Sequence, residues 1–389
     1  MENIRVGIVG VGNIGSAHLA VIAGGEIEGF TLGALCDISE EKREELAKKH
    51  PDIPVFSDYR EMIGSGTVDA VIVSVPHILH AEIAGYALAN GMHTLVEKPV
   101  DISVSRARAL NAIAEKSDKV FCIMFNQRNN PLFQKAREIV KSGALGELKR
   151  SVWIVTNWYR TQAYYDSGDW RATWAGEGGG VLLNQAPHNL DIWQWICGMP
   201  RSVTAFCTEA KYHRIEVEDD VTIYAEYENG ATGCFITTTG EYPGTNRLEI
   251  SGDRGKLVLE GGMLKWWRLA EPEREVCFRT EDLWAKIDSE YTEIKDEDGT
   301  NGHVLNLQNF ANAILKGTPL LAPGIEGINE LTLSNAAYLS AWTGETVTFP
   351  MDDGRFLQEL RRRQAQSAVT EEQREADIGN YKSRWNTNW

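Results

Sequence analysis

The chain has 389 residues, with 39 Lys and Arg against 55 Asp and Glu, a formal charge of −16. Two domains, each able to bury its own core, are the natural division of that length, and the acidic balance is the wrong sign for a surface that neutralises phosphates, so nucleic acid is not an expected partner. No apolar run approaches the roughly 20 residues of a membrane-spanning helix, and the N-terminus shows no basic segment leading to a small-residue cleavage site, which makes the cytoplasm the expected location.

From residue 4 to about 125, β-branched runs alternate with helical stretches. The runs fall at 4–9, 31–36, 55–56, 70–75, 93–96 and 120–125, with helix candidates such as 39–50 and 80–90 between them. Such alternation predicts an α/β fold, a Rossmann-type doubly wound parallel sheet, over residues 1–128. Beyond about residue 130 the pattern changes to a helix at 131–142, a Trp- and Tyr-rich stretch, a helix at 184–197, and strands at 203–207, 221–227, 232–239, 248–251 and 256–259. Glu228-Asn229-Gly230 and Gly252-Asp253-Arg254-Gly255 carry the positive-φ chemistry of tight turns, so their flanking strands should pair antiparallel. Residues 129–389 thus read as an α+β domain with a largely antiparallel open sheet. Helices at 304–316 and 324–342 should cover it or pack back on the first domain. A charged helix after Asp352 presents Arg361, Arg362 and Arg363 as a solvated face, and the chain ends in the aromatic segment 381–389. An antiparallel sheet with one bare face is expected to be covered by a second copy, giving a dimer or tetramer, with the terminal aromatics as an anchor.

The six cysteines show no paired spacing, and four lie in apolar runs. They read as reduced core thiols rather than a disulfide or zinc framework, and no metal is expected.

Gly10-Val11-Gly12-Asn13-Ile14-Gly15 follows a strand directly and opens a helix. Gly10 permits the turn, Gly12 lets the backbone approach a pyrophosphate, and Gly15 allows the helix to pack on the strand. The N–H groups of that helix start, at Asn13 and Ile14, favour an anion. Asp37 ends the second strand, 22 residues beyond Gly15, where a carboxylate accepts from ribose hydroxyls and repels a 2′-phosphate. The cofactor therefore reads as NAD, with NADP kept as the alternative by the neighbouring Lys42 and Arg43.

Val96-Glu97-Lys98-Pro99 ends the fifth strand, and the carboxyl ends of the strands are where such a sheet binds ligands. Lys98 is expected beside the nicotinamide, with Glu97 next to it. With the glycine turn at its start and this Glu-Lys-Pro, the chain resembles the Gfo/Idh/MocA oxidoreductases, and the resemblance implies two-domain enzymes acting on sugars and cyclitols. It implies that Pro76, His77 and His80 form a cofactor-side loop, although His77 stands where Asn is more usual. Asn126 and Arg128 resemble the substrate-facing strand end, and the stretch from Glu177 through Asn184 and His188 to Asp191 resembles the start of the catalytic helix. Glu218-Asp219-Asp220 is similar to the start of the open sheet.

Many members carry Asp where this chain has Asn184, and an amide cannot accept a proton at neutral pH. His188, four residues on, is the better base, since imidazole titrates near the working pH and i, i+4 residues share a helical face. Asp191 either orients that imidazole or bonds near the helix start. The expected chemistry is removal of a hydride from a carbinol carbon to NAD while His188 takes the hydroxyl proton and Lys98 stabilises the oxygen, with the two residues able to exchange roles. Trp158, Arg160 and Trp174, with Tyr164, Tyr165, Trp170 and Arg171, offer aromatic faces and donors suited to a pyranose, or, as the alternative for most of them, pack the two domains. The stretch 176–195 resembles the branch with glycoside and anhydrosugar dehydrogenases, which implies oxidation at C3 of a glucose-like sugar. Inositol is the nearest alternative substrate. A redox-neutral enzyme that retains NAD, or a non-catalytic NAD-dependent regulator on the same fold, are alternatives of other classes.

Overall fold

The structure, a computed structural model, describes residues 3–168, 171–296, 299 and 301–367. Trp170 and the aromatic segment 381–389 lie outside the described residues.

Short runs of β-branched residues, buried on both faces, build the first sheet. Its strands are β1 (Ile4–Val9), β2 (Phe30–Cys36), β3 (Val55–Phe56), β4 (Ala70–Val73), β5 (His93–Val96) and β6 (Phe121–Ile123). All neighbours pair parallel in the order β3-β2-β1-β4-β5-β6. The helices α1 (Asn13–Ala23), α2 (Glu40–Lys49), α3 (Tyr59–Gly64), α4 (His80–Ala89) and α5 (Val104–Ala114) make the crossovers. The α2 helix begins where the Ser39 hydroxyl accepts the Lys42 N–H, an N-cap that settles its first turn. Strand order reverses between β1 and β4, so the carboxyl ends of those two strands border the crevice where such sheets hold ligands.

The second half follows with α6 (Pro131–Lys141), β7 (Leu148–Val155), α7 (Gln162–Tyr165), α8 (Pro187–Cys197), β8 (Ser202–Glu209), β9 (Glu218–Glu226), β10 (Thr232–Thr238), β11 (Asn246–Gly252), β12 (Gly255–Glu260), β13 (Met263–Leu269), α9 (Glu273–Arg279), β14 (Ser289–Lys295), α10 (Gly302–Lys316), α11 (Gly327–Thr343), β15 (Val347–Thr348) and α12 (Asp353–Gln364). Nine strands form one sheet in the order β14-β13-β12-β11-β7-β10-β9-β8-β15. Both predicted hairpins, β9–β10 and β11–β12, pair antiparallel. The pairing of β10 with β7 is parallel and makes the sheet mixed.

Four of these strands, β7, β13, β14 and β15, exceed the sequence expectation. β7 is central to the sheet, yet its first residues, Leu148-Lys149-Arg150, carry charge and its later ones merge into the aromatic stretch. The helix expected from residue 184 begins at Pro187 instead, because proline is favoured at a first helical position and Asn184 sits in the preceding turn. The helix expected at 324–342 is a 3-10 turn, Gly324–Glu326, followed by α11.

One face of the large sheet is covered by α8 and α11, with Trp193 tilted on Phe235 at 5.5 Å between ring centres. The other face leaves Phe206 71% exposed beside a half-exposed Tyr224. The chain also returns: α10 sets Leu307, Phe310 and Ala311 into the core of the parallel sheet, so the boundary near residue 128 marks where one sheet ends and not where the first domain is complete. No helix among the described residues is long and apolar enough to cross a membrane.

Candidate active site

The glycine turn is held by backbone geometry. Gly10 has φ +84°, and a Cβ there would lie 2.6 Å from the Ser74 carbonyl oxygen. A Cβ on Gly15 would lie 1.9 Å from the Gly10 oxygen, so the first turn of α1 closes on the strand only with glycine at that position. Ser74 Oγ donates to the Gly10 carbonyl at 2.8 Å. Gly12 is the N-cap of α1 with no side-chain cap and no acidic residue in the first turn, which leaves the N–H groups at Asn13 and Ile14 available to an anion. Asp37 leans over this turn: its carboxylate accepts from Val11 N at 2.9 Å and from Ser39 N at 3.0 Å, and a second lone pair on each oxygen remains for a ribose hydroxyl. Arg43 folds back onto the carbonyls of Asp37 and Ile38, and Lys42 pairs with Glu45. The pair proposed for a 2′-phosphate is thus occupied locally, and the turn, the bare helix start and the carboxylate fit NAD.

Lys98 leaves the end of β5 and donates from Nζ to the Asn184 carbonyl at 3.0 Å, a contact between the two halves of the chain. Burial pulls its ammonium below the ordinary lysine value, against the opposing charges of Glu97, Glu330 and Glu177. Glu97 does not face the cofactor crevice freely. It is 5% exposed and pairs with His18 of α1 at 2.8 Å. Burial pushes its carboxyl up, but the bond to His18 and the charges around it outweigh this and bring it down to about 2.

His188 lies in the first turn of α8, half-buried, with its Nδ1 buried and without a hydrogen-bond partner among the described residues. Burial and then the Lys98 charge hold its pKa well below the ordinary histidine value. The imidazole is therefore neutral at pH 7 and able to accept a proton. His77 opens a 3-10 turn behind Pro76. Its Nδ1 is likewise buried and unpartnered, and burial keeps it neutral.

Asn184 donates from Nδ2 to the Glu177 carboxylate and, at 3.4 Å, to the Tyr164 hydroxyl. The same hydroxyl receives Gln185 Nε2 at 3.3 Å and Arg171 Nη1 at 2.9 Å. Arg160 lies over the Tyr164 ring and is close enough to Lys98 to oppose its charge. Trp158 donates its indole N–H to Asn189 Oδ1 at 3.1 Å, which anchors the aromatic loop on the start of α8. Asn126 meets His303 of α10 at 3.0 Å, and His303 stands 6.2 Å from the His18 ring. His303 was outside the sequence expectation, and neither spacing nor motif singles it out.

Four of the candidate residues are engaged elsewhere. Arg128 has no exposed surface. Its guanidinium makes two bonds to Asp191, at 2.8 and 2.7 Å, and further ones to the Leu321 carbonyl and Glu326, so it is a structural cation and not a substrate ligand. Asp191 is spent on that pair and does not orient His188. His80 sits between two backbone carbonyls, Pro99 O at 2.6 Å and Val75 O at 2.7 Å; burial lowers its pKa, and the neutral ring donates its one N–H to one of them, which holds it between the loops after β4 and β5. Trp174, 4% exposed, packs edge-on against Tyr338 and Trp342 of α11. Among the described residues no group of three or more His, Cys, Asp or Glu could hold a metal ion.

A bare helix start beside a ribose-type carboxylate, with a lysine at the neighbouring strand end, defines a nicotinamide-dinucleotide-dependent oxidoreductase. The chain belongs to the GFO/IDH/MocA family: residues 4–125 match the oxidoreductase family's NAD-binding Rossmann fold, and residues 133–258 match the GFO/IDH/MocA C-terminal domain. The myo-inositol 2-dehydrogenase of Thermotoga maritima is 22% identical over 86% of this chain and 95% of its own length. The levoglucosan dehydrogenase of Pseudarthrobacter phenanthrenivorans is 25% identical over 66% of this chain and 74% of its own. Among solved structures, the WlbA dehydrogenase of Bordetella pertussis, in complex with NADH and UDP-GlcNAcA, superposes with a TM-score of 0.74 at 26% identity, covering 90% of this chain and all of that one.

Proposed function

We propose that this NAD-dependent oxidoreductase oxidises a secondary ring hydroxyl of a pyranose sugar or glycoside, at C3, to the ketone. The reading is supported by Lys98 Nζ bonding the Asn184 carbonyl, one turn before His188 and from the other half of the chain, and by the Lys98 charge reaching the His188 ring. NAD, with its diphosphate held at Gly10–Gly15 and a ribose at Asp37, would supply the hydride acceptor through its nicotinamide. His188 takes the hydroxyl proton, and Lys98 donates to the same oxygen as negative charge develops on it. Asn184, whose amide holds no titratable proton, serves as a hydrogen-bond partner. A sugar is supported by the relatives that act on or hold levoglucosan and UDP-GlcNAcA, and by Trp158, Tyr164 and Arg160 beside the cleft. The myo-inositol relative supports a cyclitol as the second reading. The exposed sheet face at Phe206 and Tyr224 is the surface on which we place a second copy.

The test is NADH formation, followed by absorbance, across sugars, glycosides and inositols. Net NADH with a pyranose, lost in Lys98→Ala and in His188→Ala, is the expected outcome. Turnover of a sugar with no net NADH would replace the dehydrogenase reading with a redox-neutral one, and activity retained in both variants would remove the site assignment.

A further inference from the structure

Asn184 holds Lys98 Nζ on its backbone carbonyl and carries an uncharged amide, and a carboxylate stands directly behind that amide. Glu177, 3% exposed, accepts the Asn184 amide N–H on Oε1 and the Ala172 backbone N–H on Oε2, the latter at 2.7 Å. A carboxylate only accepts, so this contact decides which end of the amide is which. Nδ2 turns back to Glu177 and Tyr164, and the partly exposed side chain presents its carbonyl Oδ1. The Asn184 backbone oxygen meanwhile holds Lys98 Nζ. We propose that Glu177 is a positioning residue of the reaction: ionised, it orients Asn184 so that Oδ1 receives the substrate hydroxyl while the same residue's backbone fixes the lysine. The proposal rests on the dehydrogenase reading of the site and assigns the missing carboxylate to a neighbouring position.

Protonated Glu177 would itself donate, and would favour Oδ1 turned inward and the amide N–H turned toward the cleft, which is the wrong polarity for accepting a hydroxyl proton. The groups facing Glu177 bear on that balance. Burial raises its pKa above the ordinary carboxylate value, and Arg171, the Ala172 N–H, the Asn184 amide and Lys98 work against this to keep it charged; His77 bonds the Glu177 backbone from the loop after β4, and Tyr165 of α7 lies within its field. Lys98 in turn faces Glu97, Glu330 and Arg160, and lies within reach of His77, His188 and His303.

Two variants of the full-length enzyme test this. Glu177→Gln keeps the volume and removes the charge, and the double variant Glu177→Gln with Asn184→Asp returns one carboxylate to the pair with the hydrogen bond reversed. With the substrate found above, kcat should fall about 10-fold in Glu177→Gln with KM changed less, as for loss of one charge-assisted orienting bond, and should recover in the double variant. A substrate-independent readout separates this from failure of the dehydrogenase reading. Lysines are reductively methylated with 13C, and the Lys98 resonance, assigned by its loss in Lys98→Arg, is titrated. Its midpoint should move down in Glu177→Gln, because a nearby anion is lost, and return in the double variant. An unchanged Lys98 titration together with unchanged kcat overturns the proposal, as does a double variant that folds like the parent but behaves like Glu177→Gln. Should Glu177→Gln not fold, Glu177→Asp keeps the charge but withdraws it from Asn184. A several-fold lower kcat there supports the positioning role, and an unaltered kcat overturns it.

Discussion

The two halves of the candidate site are built by different means. On the cofactor side the chemistry is carried by the main chain: a positive-φ glycine, a helix start without a cap, and strand ends in parallel register. On the side supplied by the second half of the chain the framework is held by buried side chains that satisfy one another across long sequence distances, such as Arg128 with Asp191, 63 positions apart. A framework made of backbone tolerates side-chain changes that leave its glycines alone. A framework made of paired side chains fails when either partner is removed, since the other is left buried and uncompensated.

That contrast is tested most severely at Arg128. Arg128→Met leaves Asp191 buried without its cation, and urea unfolding should show a loss of about 3–5 kcal/mol; a loss under ~1 kcal/mol would mean that the second half is not held by this pair. Next comes Lys98→Met, which should lower NADH formation by roughly 10²–10³ while NADH binding, followed by its fluorescence, stays near the parent value because the glycine turn is untouched. The same variant sharpens the link between the halves. The Lys98 ammonium disfavours imidazolium, so removing it should raise the His188 pKa, and the acid-side change of the His188 ring signals in NMR should move to higher pH; no movement would show that the two groups do not share a cleft. On the cofactor side, Asp37→Ala should weaken NADH binding about 10-fold through loss of the ribose acceptor, with little effect on urea stability beyond the lost bond to Val11. The smallest effect is expected at Trp158→Phe, where the indole bond to Asn189 is worth about 1 kcal/mol and a thermal melt should shift by only a few degrees.

Legibility in the sequence follows the same division. The glycine turn, Asp37 and Lys98 could be read because each depends on a few contiguous residues next to a strand, and local geometry dictates residue type there. The six-stranded sheet was legible for the same reason, since its strands are continuous apolar runs. Arg128 was misread because its partner is 63 positions away, and nothing in Asn-Gln-Arg shows that the guanidinium is consumed inside. His303 comes from a helix that belongs to the cofactor half in space and to the substrate half in sequence. Trp174 was read with its neighbours as either a sugar face or domain packing, and its ring is claimed by Tyr338 and Trp342. Strand β14 escaped notice since Ser-Glu-Tyr-Thr-Glu-Ile-Lys is mostly solvated and shows little apolar alternation.

The return of α10 has a consequence for anyone wishing to excise the cofactor half. Phe310 meets Phe30 edge-on at 5.9 Å, and Gln308 bonds both main-chain groups of Glu28, so a fragment ending near residue 128 would carry an apolar scar where that helix belongs. A self-sufficient nucleotide module would have to be stitched from two separated stretches, and grafting a foreign substrate lobe onto it would require splicing at both seams.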